Sequence, residues 1–173
     1  HVVMTARREM ADIYAGEPDA VFSAASASAR RHYATPTEGG YDLAILNAYP
    51  KNLDITQSMM ALNVSFYGNE SIVCKGGTVV VTTPASDGTV LHCLGGEDMV
   101  GYVAPSGDVM KGHRLVVVSP GLNQHDVQVY FPPETTHFQT WEAAVKYLFE
   151  LHGDACRACV VECATLQLLK GIL

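Results

Sequence analysis

Tyr41-Asp42-Leu43-Ala44-Ile45-Leu46, then Asn47-Ala48-Tyr49-Pro50-Lys51-Asn52, then Leu53 onward with Ile55, Met59, Leu62 and Phe66 on one stripe: this stretch decides the fold. A short apolar run that follows Gly39-Gly40 and ends in a polar, Pro-containing loop reads as a strand buried on both faces. The stripe after it has helical spacing and predicts a helix over Leu53 to Phe66, with Thr56, Met60, Asn63 and Tyr67 on a second stripe beside the first. Strand, loop and helix in that order begin a βαβ unit. Its second strand is the β-branched run Thr78 to Thr83, which follows Lys75-Gly76-Gly77, read as a turn.

The same alternation extends in both directions. Toward the N-terminus, Val2 to Thr5 and Glu9 to Ala15 read as a short strand or hairpin. Pro18 and Asp19 suit the start of a helix, and Phe22, Ala25, Ala29 and Tyr33 fall on one face of it. Toward the C-terminus, Pro84 to Gly112 carries Gly95-Gly96, Pro105 and Gly107 and almost no period, the mark of a functional loop or lid. Strands are predicted at His113 to Ser119, Val127 to Phe131 and Ala158 to Glu162. Thr140 caps a helix whose inner face is Trp141, Ala144, Leu148 and His152, and Gly153 ends it. Strands separated by helices predict an α/β fold: one domain over residues 1–173, a mainly parallel sheet flanked by helices in three layers.

Composition removes several function classes. A net charge of −7 with 11 Lys and Arg excludes a nucleic-acid partner, whose phosphates demand cations. The apolar runs fall well short of the roughly 20 residues that cross a bilayer, so no membrane span is expected. The opening His-Val-Val-Met lacks the pattern of a signal peptide, and without an initiator Met it reads as the start of a fragment. Charged residues make up 17% of the chain against about 25% in a typical domain. Either part of the surface is covered by another domain or copy, or the chain is simply rich in Ala, Ser, Thr and Gly.

Five cysteines, an odd number, suit a reduced, cytoplasmic setting better than a disulfide framework. Cys156-Arg-Ala-Cys159 has the spacing of a redox pair. On a strand, however, the two side chains point to opposite faces and read as small buried hydrophobes, with a thiol oxidoreductase as the alternative.

In parallel sheets ligands lie beyond the carboxyl ends of the strands, which places Asn47–Asn52, Thr83–Gly88 and Ser119–Gln124 around a crevice. Asn47, Tyr49, Lys51 and Asn52 bring two amides, a phenol and an ammonium to it, as a ligand site or as an ordinary βα loop. The seven histidines include no HxH or HxxxH pair, so no metal site is expected. No GxSxG elbow occurs, and His92 beside Cys93 is not placed to act as base and nucleophile. The residues alone describe an α/β domain with a loop-lined crevice, compatible with a non-catalytic small-molecule or partner-binding module.

The order of segments resembles the C-terminal domain of the nickel-dependent lactate racemase family. The resemblance is carried by Ala15-Gly16-Glu17-Pro18 leading into an Ala-rich helix, Tyr49-Pro50-Lys51-Asn52-Leu53-Asp54 opening the next, Lys75-Gly76-Gly77-Thr78, and the closing Gly153-Asp154 and Val160-Val161-Glu162. It spans nearly the whole chain, and its specific parts are the YPK(N/D) and KGGT pieces.

The resemblance implies a longer, two-domain racemase or epimerase with its active site between the domains. There a nickel pincer nucleotide takes a hydride from the α-carbon of a 2-hydroxy acid and returns it to either face. It further implies that the tethering lysine, the metal histidine and the general-base histidines belong to an N-terminal domain that is this chain's partner. The chain alone would then bind no cofactor, hold no catalytic residue and be inactive. Its part would be to position substrate and close the cleft with Asn47, Tyr49, Lys51, Thr56, Gln57 and Met60. The family's Tyr-Gln-x-x-Lys set falls on Thr56, Gln57 and Met60, so only the glutamine is kept. Replacing an ammonium with a thioether implies a substrate other than lactate.

Overall fold

Val79, Val80 and Val81 alternate between two hydrophobic cores, and that alternation sets the layers. They belong to β5 (Val73–Thr82), the middle strand of a five-stranded sheet in the computed structural model, which describes residues 1–65, 71–89 and 112–170. Around β5 lie β4 (Tyr41–Asn47), β6 (Arg114–Val118), β7 (Thr136–Phe138) and β8 (Ala158–Val161), in the order β7-β6-β5-β4-β8. Every pairing is parallel. Strands β4 to β7 are laid side by side in chain order, and β8 returns to the other side of β4.

One face of the sheet, with Ala44, Leu46, Val79, Val81, Leu115 and Val117, packs against the residues after β4 and after β6. The first of these segments is a helix in three pieces: α2 (Ile55–Ser58), a 3₁₀ turn (Met59–Ala61) and α3 (Leu62–Ser65). Ile55, Met59 and Leu62 are buried, as their stripe requires. The second is α4 (Gln124–Tyr130). The opposite face, with Leu43, Val80, Val116 and Val118, receives Ala144 and Leu148 of α5 (Trp141–His152). His152 Nε2 meets the Thr78 hydroxyl at 2.9 Å and ties the end of α5 to the sheet. The three-layer parallel α/β arrangement of the sequence reading is what the chain adopts.

Several sequence expectations are corrected. Val127 to Phe131, expected as a strand, lies largely in α4: Asn123 and Asp126 form a reciprocal capping box that starts a helix just before it. Lys75-Gly76-Gly77 is not a turn between elements but lies inside β5, where the register with β4 jumps from Tyr41↔Val73 to Leu43↔Thr78. The extra residues bulge, and Gly77 is required there because a Cβ would press on the backbone oxygens of Cys74 and Asp42. The predicted helix over Leu53 to Phe66 starts at Ile55, capped by Asp54. Phe66, Tyr67, His92, Cys93, Gly95-Gly96, Pro105 and Gly107 lie outside the described residues.

The N-terminal segment forms a separate layer. Strands β1 (Val2–Met4) and β2 (Met10–Ile13) make an antiparallel hairpin, and α1 (Pro18–Tyr33) packs on it. Of the expected stripe, Ala25 is buried and Ala29 and Tyr33 are half-buried, while Phe22 is 72% exposed. Polar contacts fasten the same side of the helix. Buried Ser28 donates to Asp12 Oδ2, His32 Nε2 lies 3.1 Å from the same oxygen, and the Tyr33 hydroxyl donates to the Met4 carbonyl at 2.6 Å. Beyond α1, β3 (Ala34–Pro36) pairs in parallel with β9 (Leu168–Lys170) and joins this layer to the rest.

Two predictions follow from these contacts. Hydrogen bonds from Ser28 and then His32 hold the Asp12 carboxyl below its ordinary 3.8. A depressed acid contributes stability that is complete above its unfolded value and lost as pH falls through the folded one. Amide exchange within residues 1–33 should therefore quicken below about pH 4 before the five-stranded sheet opens, and Asp12→Asn should remove that acid-dependent step; simultaneous opening of both regions would refute the assignment. Separately, Gly121 passes so close to the carbonyls of Pro84 and Ala85 that a Cβ would collide with backbone. Gly121→Ala should cost about 2–3 kcal/mol in urea unfolding, and a change of a few tenths would show that the two turns do not meet as described.

Candidate functional site

The three loops beyond the carboxyl ends of β4, β5 and β6 are sewn together by hydrogen bonds. From the second loop, the Ala85 and Asp87 amides donate to Asn52 and Leu53 carbonyls at 3.1 and 2.8 Å. The Ile55 amide of α2 donates back to Gly88 at 3.1 Å. Beneath them the buried Ser58 and Thr83 hydroxyls meet at 2.7 Å. Ser58 donates to the Asp54 carbonyl at 2.6 Å, and Thr83 reaches the Asn52 carbonyl at 3.2 Å. The third loop is held by Ser119, whose hydroxyl donates to the Pro84 carbonyl at 3.3 Å. Buried polar groups satisfied in this way make the rim of the crevice rigid.

The first loop also fixes its own shape. Asn47 Oδ1 accepts from the Tyr49 amide at 3.0 Å, and a cis Tyr49-Pro50 bond follows. The residues after β8 close over the loop, with the Ala164 amide on the Asn47 carbonyl at 2.9 Å and the Thr165 hydroxyl on the Tyr49 carbonyl at 3.2 Å. The Arg8 guanidinium lies 5.8 Å from the centre of the Tyr49 ring, linking the hairpin to the loop.

Asp54 then caps α2 with its buried carboxylate. Oδ1 accepts from the Gln57 amide N–H and Oδ2 from Gln57 Nε2, both at 2.8 Å. An ionised carboxylate only accepts, so the Gln57 side chain must turn its NH₂ to Asp54 and its carbonyl oxygen away. The half-buried Gln57 thus presents a fixed acceptor. Thr56 and Met60 are half-buried beside it, and Met60 Sδ lies 3.7 Å from Asn63 Nδ2. Lys51 is exposed and pairs with no carboxylate among the described residues.

Of the six residues named from sequence, Tyr49 and Lys51 lie in the loop after β4, and the other four divide between two sides of the sheet. Thr56, Gln57 and Met60 belong to the helical segment on the face with Val79 and Val81. Asn47 follows Leu43 and Ile45 onto the other face, where an open cavity of about 370 Å³ lies between the sheet and the start of α5. Ile45, Val118 and Val160 form its floor, Trp141 a wall, and Asn47, Thr82 and Glu162 its polar edge. Sequence reasoning did not mark Thr82, Trp141 or Glu162. The available signal was the period-2 pattern: on this face Ile45 leads to Asn47, Val80 to Thr82 and Val160 to Glu162. Each run thus ends in a polar residue beyond the apolar floor.

The cysteines are not placed for redox chemistry as a pair. Cys159 packs on the core with Leu46 and Val161, and Cys156 on the one with Leu43 and Ala144. Burial pushes both thiols above their ordinary value, as it does Cys163, where Glu162 adds to the effect. Raised thiols are poor nucleophiles at neutral pH.

No family model matches this sequence, and no curated protein matches it. Among solved structures the chain is similar to the lactate racemase apoprotein from Thermoanaerobacterium thermosaccharolyticum, with a TM-score of 0.73 over 98% of this chain and 14% sequence identity. The alignment takes in 45% of that protein's chain, so the domain described here corresponds to less than half of the racemase. At that identity the likeness is one of fold.

Proposed function

We propose that this chain is one half of a two-domain isomerase that acts at the α-carbon of a 2-hydroxy acid, positioning the substrate and closing the cleft over it. The observation that carries the reading is the Asp54–Gln57 pair. It occupies the Gln57 NH₂ and leaves the amide oxygen as an acceptor on the helix that follows β4, near the carboxyl end of the sheet, where α/β domains take ligands. An acceptor so oriented suits the hydroxyl proton of a 2-hydroxy acid, and the rigid rim formed by Ser58, Thr83 and Asn52 keeps it in place. The racemase likeness supports the reaction class, and the YPKN and KGGT pieces support the same choice.

The wall beside Gln57 argues for a substrate other than lactate. Thr56 and Met60 offer it no charge, so an acid carboxylate finds no cation on this stretch of helix; a larger, less anionic hydroxy acid fits better. Lys51 on the adjoining loop is the nearest cation in sequence. A nickel pincer nucleotide, where present, would supply hydride transfer. Among the described residues no three His, Cys, Asp or Glu side chains gather as a metal-binding group, and holding the nucleotide is not assigned to this chain. That role falls to the N-terminal partner domain, and no step assigned to this chain passes through nickel. The proposal places the protein in the cytoplasm, a setting supported by the free thiols of Cys74, Cys156, Cys159 and Cys163.

Chiral chromatography of single-enantiomer 2-hydroxy acids of increasing side-chain size, incubated with the chain joined to its cofactor-binding half, tests the reading. At least one acid larger than lactate should lose optical purity. Gln57→Ala should raise KM about tenfold, the worth of one well-oriented hydrogen bond. Optical purity retained by every acid, or an unaltered KM in the variant, would overturn it.

A further inference from the structure

Parallel sheets are ordinarily covered on both faces, and among the described residues the cover over one face stops short. Toward the carboxyl end, beyond the reach of Ala144 and Leu148, Val160 is 64% exposed and Trp141 42% exposed. The cavity between them falls within the range of about 300–1,000 Å³ typical of small-molecule sites. It also opens beside β4 and β8, where the strand order reverses and doubly wound sheets take their ligands.

The geometry points to a binding site for a small organic cation with a flat apolar body, distinct from the Gln57 side of the sheet. The body is specified by the apolar Ile45, Val118 and Val160 and by the indole of Trp141, an aromatic group against which a flat ring can pack. The charge is specified by Glu162, the one ionisable side chain among the described lining residues, whose carboxylate pairs with no cation among the described residues. An ammonium between Glu162 and Trp141 gains from the carboxylate and from the ring face together.

Asn47 adds orientation. Its oxygen is taken by the Tyr49 amide, so the group it has left for a ligand is its NH₂ donor. An anion is opposed by Glu162, by the absence of Lys, Arg and His among the described lining residues, and by the net charge of −7. A protein segment laid on the apolar floor alone would leave Glu162 buried without a cation.

Trp141 is the only tryptophan in the sequence, so its fluorescence reports on the cavity directly. Titration with 2-phenylethylamine should give a saturable change in that emission, and 3-phenylpropanoate, with a similar ring and the opposite charge, should give none. Glu162→Gln, at an exposed position that leaves the core untouched, should weaken the amine at least about tenfold, the effect of losing one charge-assisted hydrogen bond. Val160→Arg, which sets a cation of the chain's own on the floor, should abolish the response while circular dichroism is unchanged. Equal binding of amine and acid, or an unaltered Glu162→Gln variant, would reduce the site to an apolar groove and overturn the proposal. So would absence of saturation with the amine. Emission that shifts with protein concentration, together with a dimer in sedimentation, would assign the face to a second copy and overturn it as well.

Discussion

The parallel register of Leu43–Asn47 against Thr78–Thr82 is the constraint on which the other parts of the molecule depend. Successive side chains on a strand point to opposite faces, so this one alignment sends Ala44, Leu46, Val79 and Val81 to one core and Leu43, Ile45, Val80 and Thr82 to the other. A slip by one residue would exchange the two sets and set Thr78 and Thr82 among the aliphatic residues under α2 and α4. The bulge at Lys75-Gly76-Gly77 protects the alignment. It absorbs the extra residues between Val73 and Thr78 at a point where Gly77 alone tolerates the approach of the Cys74 and Asp42 carbonyls. A motif that looks like a turn in the sequence thus works as the register device of the central strand.

How much of this was legible depends on whether the signal was local. Tyr41 to Leu46 and Thr78 to Thr83 are strongly apolar or β-branched, and the Ile55, Met59, Leu62 stripe is plain; all three read correctly. Val127 and Val129 carry strand propensity, but Asn123 and Asp126 supply a helix start, and in α4 the cap decided. On α1 the expected stripe holds at Ala25 but not at Phe22, which is exposed. The hydrogen bonds of Ser28 and His32 to Asp12, sixteen and twenty residues away, are recorded by no apolar periodicity. The three-residue strands β3, β7 and β9 are held by their partners rather than by propensity, and nothing in Ala34-Thr35-Pro36 announces a strand.

The same division runs through the candidate site residues. Gln57 is marked by a motif laid along the chain, while its partner Asp54, within one turn of helix, is not named as a site residue. Asn47, Thr82 and Glu162 come from three strands, and their meeting is a consequence of register: Asn47 lies opposite Thr82, and Leu46 opposite Val161, the residue before Glu162. A reading along the chain sees three unrelated polar residues at strand ends. Trp141 is harder still, because its place above that row depends on how α5 packs across the sheet toward Thr78.

The cap at Asp54 bears on what the crevice can bind. A helix N-terminus usually offers its free N–H groups to an anion, but here Asp54 occupies that position itself, accepting from the Gln57 amide and side chain. The carboxylate sits buried against the positive end of α2 and satisfies the first turn from within the protein. An incoming carboxylate would therefore meet a like charge where many α/β domains present donors. Given that arrangement, Met60 in place of a cation is consistent with its surroundings. On the proposed function, the helix start is closed to anions electrostatically and Gln57 is left to recognise a neutral hydroxyl. A negative group on the proposed substrate would then be met from Lys51 or from the proposed partner domain. Recognition of the polar end and of the charged end would in that case fall to different parts of the protein, which suits a site formed between two halves.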